Sequence, residues 1–409
     1  MATLFVAQVL GSTGHSIGMA VGGIMAAAIT GTNTWIGVPI AVGALGTALA
    51  SWPLSRLMAR FGRRPGLTLG YGLAVIGAGL GMAGVLAGSF ALLLLGMALF
   101  GIAHTSNNLA RYAAADATPL PERGRAMGLI VWGSTIGAIL GPNLMPAAVR
   151  VGAVIGLSPV GSAFLISVGG YTLAALLIQA LLRPDPLTIA RRMEQEANAG
   201  AAPRPARALR EIFAEPRARI AVSTLMVSQV VMIGTTSTSP VYLHDQGHSV
   251  STIGLAVSMH LGGMYVASPL SGWLSDRFGR VPMIVTGALG LLLACAVAGL
   301  VPGSDSGLVM FGLFLNGVGW NLAFVAASAL LTDALSAAER TSIQGLADLV
   351  MGLMGAFGSA AGGMILGLWG FGALNAFGIA VVIVGLVAMW LQRPGPQSIS
   401  VRLREEPER

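Results

Sequence analysis

Residues 60–65 read Arg-Phe-Gly-Arg-Arg-Pro, and residues 277–282, 217 positions later, read Arg-Phe-Gly-Arg-Val-Pro. Working outward, residues 55–128 slide onto 272–345 without a gap. Asp116 meets Asp333, Glu122-Arg123 meets Glu339-Arg340, and Gly128 meets Gly345. An internal repeat constrains architecture before any other feature. This one is about half the chain and mostly apolar, the signature of a membrane transporter built from two related halves.

The 409 residues are 55% hydrophobic and only 10% charged, too little charge to cover a water-facing surface. Twelve apolar runs are each long enough for a bilayer core of roughly 30 Å. They cover about 3–27, 35–56, 66–88, 91–116, 125–149 and 160–183, then 218–243, 251–274, 281–302, 307–333, 342–366 and 371–391. Residues 1–183 are therefore expected to form one six-helix bundle and 218–391 a second. The Pro-rich, polar stretch 184–217 reads as a linker, with a short surface helix expected over 206–214. Residues 392–409 form a polar tail, expected to be disordered.

All 23 basic residues are arginine. With both termini in the cytoplasm, every arginine except Arg111 and Arg150 falls on the cytoplasmic side, as the positive-inside rule requires. This predicts a multi-pass protein of a bacterial-type cytoplasmic membrane. The net charge of +7 then reflects topology and contact with anionic lipid, not nucleic acid. No basic leader precedes the first span, which is expected to be retained. Cys295 is the sole cysteine, which excludes internal disulfides and multi-thiolate metal sites.

Between the eighth and ninth spans runs Gly272-Trp273-Leu274-Ser275-Asp276-Arg277-Phe278-Gly279-Arg280. This string resembles the loop signature G-x-L-a-D-R-x-G-R of the major facilitator superfamily. The copy beginning at Ser55 departs from it, with Ser55 for the first glycine and Ala59 for the acid. The resemblance covers all twelve spans. It implies an all-α membrane fold of two pseudo-symmetric six-helix bundles, working by alternating access around a shared central site. It also implies a gating latch of Arg60, Arg63, Asp116, Asp276, Arg277, Arg280 and Asp333. Asp276 is expected at the positive end of a neighbouring helix. Arg60 is expected on Asp116, and Arg277 on Asp333 or another carboxylate.

The fifth span carries Gly133, Gly137, Gly141 and Pro142, a smooth kinked face. It resembles the motif of drug–proton antiporters in this superfamily, and close helix packing explains it equally well. A companion arginine in the fourth span is replaced by Met97. Ionisable groups inside spans are functional candidates by default. Asp348 is the only acid well inside a span. It reads either as a proton-coupling carboxylate or as a latch for Arg56 or Arg60. His104, Asn108 and Arg111 share one helical face, which the resemblance places on the cavity, although Arg111 is near enough to the span end to snorkel. His15, Gln229, Asn316, Trp320 and Asn321 are further substrate-binding candidates, with Gln8 beside them.

His260 and Met264 lie one turn apart, with Met232 on the preceding span. Imidazole and thioether suit Cu(I), and the pair resembles the copper-importing branch of the superfamily. That branch's second motif is broken here by Thr236. The leading expectation is proton-coupled efflux of a small organic molecule by a monomer without a cofactor. The alternatives are copper uptake and riboflavin-type import. No span carries a catalytic cluster, so an enzyme is not expected.

Overall fold

The computed structural model describes residues 1–32, 35, 37–154, 156–158, 161–197, 207–300 and 305–392. Nearly all of the tail, and position 206 of the expected linker helix, lie outside these residues. The first bundle contains α1 (Ala2–Thr30), α2 (Val38–Phe61), α3 (Arg63–Leu86), α4 (Phe90–Asp116), α5 (Arg123–Asn143) and α7 (Ala163–Leu181). A short α6 (Met145–Val154) follows α5. The connection holds α8 (Pro186–Ala197) and α9 (Leu209–Ala214). The second bundle contains α10 (Pro216–Asp245), α11 (Val250–Tyr265), α12 (Ser268–Phe278), α13 (Arg280–Leu300), α14 (Ser306–Ala334) and α15 (Ala337–Leu391). Among the described residues there is no strand.

Among the described residues, eleven helical stretches are long and apolar enough to cross a membrane. The 55-residue α15 is more than twice the length one crossing needs, and it bends at Gly370, whose φ of 82° only glycine adopts without strain. It thus supplies the eleventh and twelfth spans. Two spans depart from the sequence expectation. The eighth is broken into α11 and α12 just before Pro269, which lacks an N–H and crowds the carbonyl one turn back. The fifth ends at Asn143, and α6 starts afresh beside Pro146.

Within each bundle, small residues set the packing distance. Gly137 faces α1, where a Cβ would sit 2.7 Å from both the Thr13 nitrogen and the Val9 oxygen. The Gly133 and Gly141 positions also face α1. Hydrophobic pressure between helices is weak in lipid, so such close van der Waals fit carries association. Large apolar side chains such as Leu49, Leu176 and Val384 are exposed, as a lipid-facing surface requires.

The bundles meet along two matched seams, α2 against α15 and α5 against α12. At one, Gly345 abuts Ser51 and Ser55; at the other, Gly128 abuts Ser268 and Gly272. These positions are repeat mates. The turns α2–α3 and α12–α13 also match, each closed by a glycine at positive φ: Gly62 at 102° and Gly279 at 95°.

Candidate functional site

At the arginine-rich end, each repeat aspartate holds two arginines, one from either bundle. Asp116 pairs with Arg63 at 2.8 Å and with Arg340 at 3.4 Å. Asp333 pairs with Arg280 at 3.1 Å and with Arg123 at 3.0 Å. Arg63, Asp116 and Arg123 repeat as Arg280, Asp333 and Arg340, so the two clusters are copies of one design. Asp276 accepts from the Gly124 and Arg125 backbone N–H at 2.9 and 2.7 Å, at the start of α5, and also binds Arg280. Arg63 donates to Gln344 Oε1 at 2.5 Å.

This corrects the expected latch pairs. Arg60 and Arg277 end their helices on the outside, where both are exposed and lie over Phe61 and Trp273 at 5.2 Å each. Arg63 and Arg280, one turn on, open the next helices beside the ends of α4 and α14, and so reach the aspartates.

Deeper in the seam, Arg111 of α4 pairs with Asp348 of α15 at 2.6 Å. Arg111 is 1% exposed and Asp348 3%, so Arg111 does not snorkel. Nor does Asp348 join Arg56 or Arg60, the partners its sequence position suggested. Arg111 also donates to Tyr112 Oη at 3.0 Å, to the Asn108 carbonyl at 2.5 Å and to Ser328 Oγ at 3.3 Å. Ser328 is its own repeat mate. The guanidinium lies 4.3 Å from the Tyr112 ring centre and 4.4 Å from that of Phe324. Tyr112 donates to Asp348 Oδ1 at 3.3 Å, while Asp348 Oδ2 has no partner among the described residues.

Near the middle of the spans, two aromatic stacks form, one in each bundle. His15 of α1 stacks on His104 of α4 at 4.5 Å and on Phe100 at 5.5 Å. Trp320 stacks on Phe324 at 4.4 Å, and its indole N–H donates to Gln229 Oε1 at 3.0 Å. His15, His104, Asn108 and Gln229 are only partly buried. Asn316 and Asn321 differ. Asn316 donates to Thr235 at 2.9 Å, and Asn321 to the Met264 carbonyl and Ser268 at 2.6 and 2.7 Å. Both are buried and tie α14 to its neighbours. Phe324, Tyr112 and Gln344 were not singled out from sequence, since nothing in their spacing showed that the fold turns them toward Arg63 and Arg111. Arg123 and Arg340 did carry one, as matched charges of the repeat.

His260 is buried, and its ring contacts run to Leu313 and Thr236. Its Nδ1 lies 3.0 Å from the Leu313 carbonyl, which can only accept, so Nδ1 carries the proton. Its Nε2 lies 3.2 Å from Thr236 Oγ1. The residue that breaks the second methionine motif is thus the neighbour of the ring at Nε2.

A family model described as Major Facilitator Superfamily matches residues 4–251 and again 239–409. An uncharacterized MFS-type transporter of Bacillus subtilis (strain 168), YdeG, is 34% identical over 394 residues, covering 95% of this chain and 91% of its own. The riboflavin transporter RfnT of Brucella anthropi is 28% identical over 399 residues, covering 95% of this chain and 94% of its own. In fold, the chain resembles the crystal structure of a bacterial homologue of the iron transporter ferroportin in an outward-facing state, with soaked iron. That likeness has a TM-score of 0.76 at 13% identity, over 96% of this chain and 98% of the other.

Proposed function

This chain belongs to the major facilitator superfamily and is a membrane transporter, and we propose that it couples proton movement to transport of a small planar organic molecule. A flavin is the first candidate cargo. The observation that carries this reading is the buried Arg111–Asp348 pair across the seam, seated on the Phe324 ring that stacks against Trp320. The partly buried His15–His104 stack offers a flat, polarisable face suited to a fused heteroaromatic ring. Gln229 and Asn108 add amide groups for its polar edge. The resemblance to a flavin transporter over nearly the whole chain supports the same choice.

The mechanism follows from the charges. With the arginine-rich end closed, Asp348 is ionised and holds Arg111 across the seam. A proton arriving at the unpartnered Oδ2 neutralises the carboxylate and removes the ion pair. What then holds the bundles at this depth is a hydrogen bond from the Arg111 guanidinium, still charged, to a neutral carboxyl, without the attraction between opposite charges. The closed arrangement loses its main cross-seam attraction there, and residues 1–183 rock against 218–391 about the central site. The arginine-rich end, with both termini, is cytoplasmic in this reading, and the protein sits in a bacterial-type cytoplasmic membrane.

The test is flavin accumulation in proteoliposomes under an imposed pH gradient. Gradient-dependent riboflavin movement that collapses with a protonophore is the expected result. Riboflavin that neither moves nor shifts the thermal unfolding of the protein contradicts the cargo assignment. A second reading, export of organic dyes against protons, is favoured by the glycine face that α5 lays on α1. Dye flux opposite to proton flux, with no response to flavin, selects it.

A further inference from the structure

The latch at the arginine-rich end is not symmetric. Asp276 of α12 grips the start of α5, but its repeat mate on α2 is Ala59, so α2 brings no carboxylate to the start of α15. The charges show the same deficit. Arg123 and Arg280 share two acids, Asp333 and Asp276, whereas Arg63 and Arg340 have Asp116 between them.

Two acids of the connection fill this region. Asp185 accepts from the Arg63 and Arg64 backbone N–H at 3.1 and 2.8 Å, and from that of Leu187 at 2.9 Å. It therefore fastens the start of α8 to the start of α3. Pro186, Leu187 and Ala190 are buried, which seats α8 against the bundle it leaves. At the far end, Glu194 Oε2 accepts from the Ala337 N–H at 2.9 Å, the first residue of α15. Arg191 donates to the Ala59 carbonyl at 3.5 Å, placing α8 over the vacant loop position. One helix thus touches both bundles with a carboxylate at each end.

We infer that Glu194 is the positioning residue that replaces the missing loop acid, and that α8 is a strap holding the arginine-rich end shut. A carboxylate at a helix start complements the unsatisfied N–H groups and the positive end of the helix dipole. Asp276 does this for α5 within the loop motif. Glu194 does it for α15 from the linker, at Ala337, one turn before Thr341 and Ser342, the repeat mates of the Gly124 and Arg125 that Asp276 holds, so the two bundles are clamped reciprocally by acids of different origin. Rocking that opens this end pulls α15 away from α8, which stays with the first bundle through Asp185. The Glu194 contact must then break.

The experiment measures the end directly and needs no cargo, so it stands or falls apart from the transport reading. Spin labels go on Phe61→Cys and Phe278→Cys, exposed repeat mates on the two loops, in full-length Cys295→Ala protein in lipid nanodiscs. In Glu194→Ala, the closed-to-open population ratio is expected to fall about two- to fivefold, the usual worth of one carboxylate at a helix start. Ala59→Asp added to Glu194→Ala is expected to restore the ratio, by returning the acid to the loop. Glu196→Ala, which removes an exposed acid on the same helix, is expected to leave it unchanged. An unaltered distance distribution in Glu194→Ala overturns the assignment. So does failure of Ala59→Asp to rescue it, or an equal effect from Glu196→Ala.

Discussion

Asp348 is 3% exposed, yet one of its oxygens has no partner among the described residues, while the other holds Arg111 at 2.6 Å. Removing one member of such a pair strands a buried charge, at a cost of about 3–5 kcal/mol. Replacing both by apolar residues of similar volume is often neutral. Arg111→Met is therefore expected to lower the thermal unfolding midpoint strongly, and the double change Arg111→Met with Asp348→Leu to recover most of the loss. A double variant less stable than the single one contradicts this account. Trp320 supplies a second check. Trp320→Phe keeps a ring on Phe324 but frees the Gln229 amide, whose loss of one hydrogen bond is worth about 1 kcal/mol. The thermal unfolding midpoint is expected to fall by a corresponding few degrees, and an unchanged midpoint contradicts a structural role for this bond.

The glycine face of α5 is a packing device wherever else it acts. Gly137→Val would push a branched side chain into the α1 backbone, 2.7 Å from the would-be Cβ. The expected cost is about 1–3 kcal/mol, read as a lower unfolding midpoint, because overpacked contacts force backbone shifts. Gly72→Val, where a Cβ meets nothing within 4 Å, is expected to be nearly neutral. Equal effects at both positions contradict the packing role.

Helix identity and order were legible from hydropathy alone, because lipid leaves a spanning chain few alternatives. Side-chain direction was not. Arg60 and Arg63 are both conspicuous in the repeat, and only the turn at Gly62 decides which one reaches Asp116. The strap helix was missed because Pro184 and Pro186 read as breakers. Pro186 is in fact the first residue of α8, a position where a missing N–H costs nothing.

Across the whole molecule, the repeat explains why the closed end is built twice, and the departures from it show where the halves are specialised. Arg111 faces Ser328, its repeat mate, and Asp348 matches Val131, so the deep charge pair occurs once and not twice. The latch at the arginine-rich end is distributed over at least four ion pairs and the α8 strap. Losing any one element is expected to shift the balance of conformations without abolishing it. His260, the imidazole of the copper reading, lies 3.0 Å from the Leu313 carbonyl and 3.2 Å from the Thr236 hydroxyl. The polar and aromatic residues that remain near mid-span suit an organic ring.

The deep pair is where proton and cargo meet in this account, and Asp348→Asn addresses it with the least disturbance of shape. In proteoliposomes, wild-type protein is expected to accumulate riboflavin against its gradient when a pH difference is imposed. The variant is expected to exchange labelled for unlabelled riboflavin while failing to concentrate it. Concentrative, pH-driven uptake by Asp348→Asn at the wild-type level would contradict the assignment of this carboxylate as the coupling group.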